Sequence, residues 1–237
     1  MIFDIRCNGQ INPINIDRTV TLRWKNDYDL VGFSVCLRIG ETVIYKKHVS
    51  SSVCYFSYDG ELLPCTWYRG VITCYGKNGE EESAEFMFRT ALVDGFPSSC
   101  EWIGAGQIEV SEQPARGNPA TYLQRKFVLN RVDESYLHIA GLGLFTLFIN
   151  GKKVSDDVLT CPFTNYNQSV LYATYDVTSY LTVGENLICA VLGDGWFNQT
   201  ATDEWGFYKA DWRKNAKMCL FLEGAYTLYS DRSWNCS

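Results

Sequence analysis

Hydrophobic and polar positions alternate along most of this chain. Phe145, Leu147 and Ile149 alternate with Leu144, Thr146 and Phe148, the period of two that suits a strand. Asn150-Gly151 follows, the positive-φ pair that a tight type I′ hairpin turn requires, and Lys152 begins the partner strand. Gly184-Glu185-Asn186 reads as a second turn, and residues 187–192 as a short buried strand closed by Gly193. Nearer the start, residues 19–25 alternate around Trp24. GFSVCLRIGETVIYKKHV reads as two strands turning at Gly40-Glu41. A strand-like run, VITCYG, leads to a turn at Lys77-Asn78-Gly79, and residues 84–89 form the closing strand.

The pattern breaks at VDGFPSSC, residues 93–100, where Gly, Pro and Ser cluster. We therefore expect one domain over 1–92, a linker over 93–100 and a second domain over 101–237. In the second, strands are expected over 122–129, 135–141 and 144–149, with EQPARGNP (112–119) as an irregular loop. Residues 176–181 suit one helical turn capped by Asp176, and residues 217–222 and 225–230 a final hairpin around Glu223-Gly224. Helical periodicity is never sustained, so the fold class is all-β, built from antiparallel sandwiches.

Composition narrows the functions. Aromatic residues make up 15% of the chain, which suits pleated surfaces and also the apolar face of a sugar ring. The formal charge of -6 and the scattered Lys/Arg pairs argue against nucleic acid, which demands clustered basic residues. No apolar run has the length of a transmembrane helix, and MIFDIR is not a signal peptide. A membrane role is thus not expected, and a cytoplasmic location is expected if Met1 is the native start. The ten cysteines show no CxxC spacing, and several fall in strand-like runs, so they read as buried free thiols.

Several blocks resemble a known pattern. GLGLFTLFINGKKVSDDVL, TNYNQSVLYATYDVTSYL, GENLICAVLGDGWF and DRSW are similar to the N-terminal β-sandwich of bacterial α-L-rhamnosidases, glycoside hydrolase family 78. LLPCTWYRGVITCYGKNGEE resembles the fibronectin type III pattern, with Tyr68 placed as a tyrosine corner after Leu62 and Pro64. The chain departs from the rhamnosidase pattern where Cys161-Pro162-Phe163-Thr164-Asn165-Tyr166 replaces PGWTDY, and where Phe197 replaces a tyrosine. The resemblance implies a fibronectin III/immunoglobulin-like sandwich followed by a galactose-binding-like jelly-roll sandwich. It also implies that a further strand and more domains follow DRSW, including an (α/α)-barrel with the catalytic acids. The chain is then the front portion of a larger enzyme, cut within its second sandwich. A missing next strand would leave an open sheet edge.

Catalysis by this chain alone is not expected. Glycoside hydrolysis needs two opposed carboxylates, and neighbouring Asp156 and Asp157 on an extended segment would point to opposite faces. Asp194, Asp203-Glu204 and Asp211 read as turn and loop acids. No GxSxG elbow is present, His138 sits in a strand-like run, and Gly141-Leu142-Gly143 has no helix behind it to make a phosphate loop. A sugar-binding role is the better expectation. Rhamnosidase-linked sandwiches can bind L-rhamnose, in some cases through calcium, so the resemblance makes a rhamnose-containing glycan the expected ligand. Asp156 and Asp157 are the first candidates for such a site and for a calcium ion, because neighbouring carboxylates supply oxygen ligands. Asp194, Trp196 and Asn198 are the second. The competing readings are a ligand-free scaffold, a stand-alone lectin-like module and the front domain of a β-galactosidase-type glycosidase.

Overall fold

A computed structural model describes residues 1–106, 119–202 and 204–237. The expected loop over 112–119 therefore falls, up to residue 118, outside the described residues, as does Asp203. Chain contacts divide the molecule into Met1–Gly95 and Phe96–Ser237. Residues 96–100 lie with the second unit: Phe96 packs edge-on against Tyr172 at 5.7 Å, and the Cys100 thiol donates to the Leu220 carbonyl at 3.4 Å.

The first unit holds β1 (Ile2–Cys7), β2 (Thr21–Asn26), β3 (Leu30–Ile39), β4 (Thr42–Val49), β5 (Tyr55–Ser57), β6 (Trp67–Gly76) and β7 (Glu81–Arg89). They form a three-stranded sheet, β1-β2-β5, and a four-stranded sheet, β4-β3-β6-β7. Alternation drives the assembly. Leu22 and Trp24 from β2, and Phe33, Val35 and Leu37 from β3, are all buried in one apolar cluster with Ile72, Cys74 and Phe88. Trp24 meets Phe33 edge-on at 4.9 Å, a favoured aromatic geometry. Gly70 sits where a Cβ would come within 2.2 Å of the Phe86 ring, so only glycine lets that ring lie across β6. Tyr68 is buried and stacked on Phe88 at 4.9 Å, and its hydroxyl accepts the Leu63 N–H at 2.7 Å. The tyrosine-corner expectation thus holds in its defining contact.

The second unit contains β8 (Ile103–Gly104), β9 (Thr121–Leu129), β10 (Tyr136–Leu142), β11 (Leu144–Ile149), β12 (Lys152–Lys153) and β13 (Tyr172–Asp176). It continues with β14 (Gly184–Gly193), β15 (Lys217–Glu223), β16 (Leu228–Tyr229) and β17 (Asn235–Cys236). One sheet runs β13-β10-β15-β16, with β8 also on β15; the other runs β12-β11-β14-β9-β17. Alternate residues feed the core: Phe145, Leu147 and Ile149; Ile188, Ala190 and Leu192; Met218, Leu220 and Leu222, with Leu123, Phe127 and Leu129 from β9, where Arg125 breaks the series. β17 pairs with β9 at Gln124 and Leu123.

The Asn150-Gly151 turn has φ of 51° and 77°, as a type I′ hairpin requires. Asn150 also works beyond the turn. Its side-chain amide donates to the Tyr180 carbonyl at 2.9 Å and to Asn186 Oδ1 at 2.8 Å, while its Oδ1 accepts the Leu187 N–H at 2.9 Å. Asn186 is buried and closes the network by accepting the Thr182 N–H and donating to the Thr182 and Gly184 carbonyls. The Gly184-Glu185-Asn186 segment, expected as a turn, is the start of β14 because Asn186 satisfies the loop before it. Asp176 Oδ1 accepts the Thr178 N–H at 3.0 Å ahead of a single 3-10 turn, Thr178–Tyr180.

Two outcomes follow. Tyr68→Phe removes the acceptor of an N–H in a partly exposed loop and is expected to cost about 1 kcal/mol. Asn186→Ala strands several groups in the interior and is expected to cost about 2–3 kcal/mol. Urea unfolding followed by circular dichroism measures both, and the order of the two losses is the check.

Candidate functional site

The loops at the Gly193 end of β14 form the site. Leu144 opposes Gly193 in the β11–β14 pairing, and the Phe145 N–H donates to the Thr160 carbonyl at 2.9 Å. That bond draws the long β12–β13 connection to the same end. Asp194-Gly195-Trp196-Phe197 then turns sharply. The Asn198 N–H donates to the Asp194 carbonyl at 3.1 Å, and the Asn198 side-chain amide donates to Asp194 Oδ1 at 3.0 Å. Gly195 adopts φ of 50° against the Leu144 side chain.

This turn walls an open recess of about 380 Å³, lined by Leu144, Leu159, Asp194, Trp196, Asn198 and Gln199 among others. Three of the five sequence-derived candidates, Asp194, Trp196 and Asn198, therefore share one recess. Asn198 is 0% exposed, and its Oδ1 has no hydrogen-bond partner among the described residues. A buried carbonyl oxygen left unpaired costs free energy that an incoming donor recovers. Carboxylate and amides beside an indole and two leucines suit a ligand with hydroxyls on one side and C–H on the other.

Asp156 and Asp157 lie outside that lining, and their surroundings differ. Asp156 is fully exposed, with its carboxylate 3.9 Å from the Lys153 ammonium. Asp157 Oδ2 accepts the Tyr175 hydroxyl at 3.3 Å. Among the described residues, neither belongs to a trio of His, Cys, Asp or Glu ligand atoms within 4.8 Å of one another. Calcium takes roughly six to eight oxygens, so these two carboxylates do not by themselves make its cage. Asp211 accepts the Asn167 side-chain amide at 3.1 Å, and Glu204 is exposed.

Sequence reasoning missed the aromatic group beside the recess. Phe163 stacks on Phe207 at 4.8 Å, and Trp205, 81% exposed, lies near-parallel to Phe207 at 6.5 Å. Tyr166 meets buried Phe197 edge-on at 5.2 Å and Trp212 at 5.9 Å. Tyr166, which ends the departing segment Cys161–Tyr166, thus touches Phe197, the second departure. His138 is a second surprise: fully buried, it is hydrogen-bonded to Thr174 at 2.9 Å and to the Glu223 carboxylate at 2.8 Å. Both groupings join residues far apart in the chain.

A family model described as the α-L-rhamnosidase N-terminal domain matches residues 130–237. An α-L-rhamnosidase of Formosa agariphila is 31% identical over 177 residues, covering 65% of this chain and 18% of that protein. One from Alteromonas sp. is 31% identical over 140 residues, covering 57% of this chain and 15% of that protein. The solved α-L-rhamnosidase of Dictyoglumus thermophilum superposes on all of this chain with a TM-score of 0.78 at 23% identity, over 29% of its own length. That of Aspergillus terreus gives 0.78 at 18% identity, also over 29%. At such identities the superpositions establish the fold. The chain spans less than a fifth of the curated relatives it matches.

Burial first, and then the Asp157 carboxylate, push the Tyr175 phenol up to about 12. The folded state therefore favours the neutral phenol. That contribution is intact below the ordinary tyrosine value of about 10 and is lost as pH rises through 12. Asp157→Asn is expected to lower the titration only in part, because burial dominates. Phenolate absorbance, compared with Tyr175→Phe, measures it.

Proposed function

With its second unit carrying the α-L-rhamnosidase N-terminal domain, we propose that this chain is the noncatalytic front region of an α-L-rhamnosidase-like glycoside hydrolase that holds rhamnose-bearing glycan. In this reading, hydrolysis of terminal α-L-rhamnose belongs to a barrel domain elsewhere in the enzyme. The first unit is read as a fibronectin III-like sandwich, supported by its three- and four-stranded sheets and the Tyr68–Leu63 bond. The second is read as a galactose-binding-like jelly roll. All ten cysteines are free, which favours a reducing compartment such as the cytoplasm.

The observation that carries the binding role is the unpaired Oδ1 of buried Asn198, in the recess shared with Asp194 and Trp196. Asp194 is the one carboxylate lining that recess among the described residues. Hydrolysis calls for a pair about 5–9.5 Å apart, so binding suits the site better than bond cleavage. A weak site of this kind serves a tethered catalyst by raising local substrate concentration. The exposed ring of Trp205, beside Phe163 and Phe207, favours a second reading in which this face packs on a neighbouring domain as scaffold.

Calorimetric titration with L-rhamnose, once with calcium and once with EDTA, separates these readings. The expected result is saturable binding that survives EDTA and weakens at least tenfold in Trp196→Ala. Binding abolished by EDTA moves the site to Asp156 and Asp157. Absence of heat at millimolar sugar in both buffers overturns the binding role and leaves the scaffold.

A further inference from the structure

A recess of about 580 Å³ lies on the four-stranded sheet of the first unit, with Arg38, Arg69, Val71, Glu85 and Met87 in its lining. Strand pairing places Val43, Arg38, Arg69 and Met87 in one row across β4, β3, β6 and β7. Two arginines thus stand directly opposite each other on adjacent strands, with an apolar residue outside each. Both are exposed, and among the described residues neither guanidinium has an ion-pair or hydrogen-bond partner. Like charges directly opposite on a sheet destabilise it. A natural sequence carries such a pair at a cost to folding, and an oxyanion seated between the two forks would reverse the sign of that cost.

The rest of the lining fits the body that would carry the anion. Val71 and Met87 supply apolar lining, while Asn12, Glu41 and Glu85 supply acceptors. Glu85 pairs with Val71, one row away from the arginines, so it can take a hydroxyl without standing between them. We propose that this face binds an acidic glycan, with Arg38 and Arg69 clamping its carboxylate or sulfate-ester oxygens. Only the choice of a sugar as the body rests on the glycan-binding reading of the second unit; the oxyanion seat stands without it.

The test uses the intact 237-residue chain with D-glucuronate, its methyl ester and inorganic sulfate as probes. Binding of glucuronate but not of the ester is expected, weakened at least tenfold in Arg38→Met and in Arg69→Met and weakened by added salt. Tighter binding of the sugar acid than of sulfate assigns a uronate, and the reverse assigns a sulfate ester; either supports the seat. Without ligand at low salt, each single variant is expected to melt at a higher temperature than the parent, because it removes the repulsion. Glucuronate binding should persist in Trp196→Ala, which separates this site from the recess of the second unit. Equal binding of acid and ester, unchanged affinity in both arginine variants, or no binding of any probe overturns the proposal.

Discussion

The second unit depends on one polar contact, the amide pair of half-buried Asn150 and buried Asn186. Together they satisfy the backbone at Tyr180, Thr182, Gly184 and Leu187. This fixes Ile149 opposite Ile188, and so fixes the register of β11 on β14 to its far end, where Leu144 opposes Gly193. A slip of one residue would turn Phe145, Leu147 and Ile149 out of the core. It would also move the Asp194–Asn198 turn off Leu144. The candidate recess is therefore held by hydrogen bonds at the opposite end of the same two strands.

The first unit is held differently. Its sheets close on aromatic rings, and the local permissions are steric: a glycine under Phe86, and a tyrosine whose hydroxyl reaches back to Leu63. The inward face of the four-stranded sheet is apolar along the middle of β3 and β6, while its outward face carries the Arg38–Arg69 row. Each strand's period of two serves packing on one side and leaves the other free for charge.

The recess is shaped by the turn that carries Asp194, Trp196 and Asn198. Asp194 and Asn198 hold each other through a side-chain bond as well as the turn, which fixes the carboxylate before any ligand arrives. Phe197 anchors the turn against Tyr166, so the segment that departs from the rhamnosidase pattern supports it from the side. Preorganisation of this kind lowers the cost of binding.

The longer strands, the Asn150-Gly151 hairpin, the tyrosine corner and the alternating core were legible in the sequence, because they rest on local backbone preference and period-two burial; the short strands Ile2–Cys7, Tyr55–Ser57, Tyr172–Asp176 and Asn235–Cys236 were not. Asp194, Trp196 and Asn198 were legible too, since one short turn carries all three. What tertiary structure alone decided is which distant residues meet. Adjacency in sequence did not make Asp156 and Asp157 a shared site: one faces solvent by Lys153 and the other meets Tyr175 from another strand. The stacking of Phe163 on Phe207, the burial of His138 against Glu223 and the opposition of Arg38 to Arg69 each join positions set by strand register or loop closure. Periodicity tells each strand which face to bury; only the folded sheet fixes which neighbour it faces.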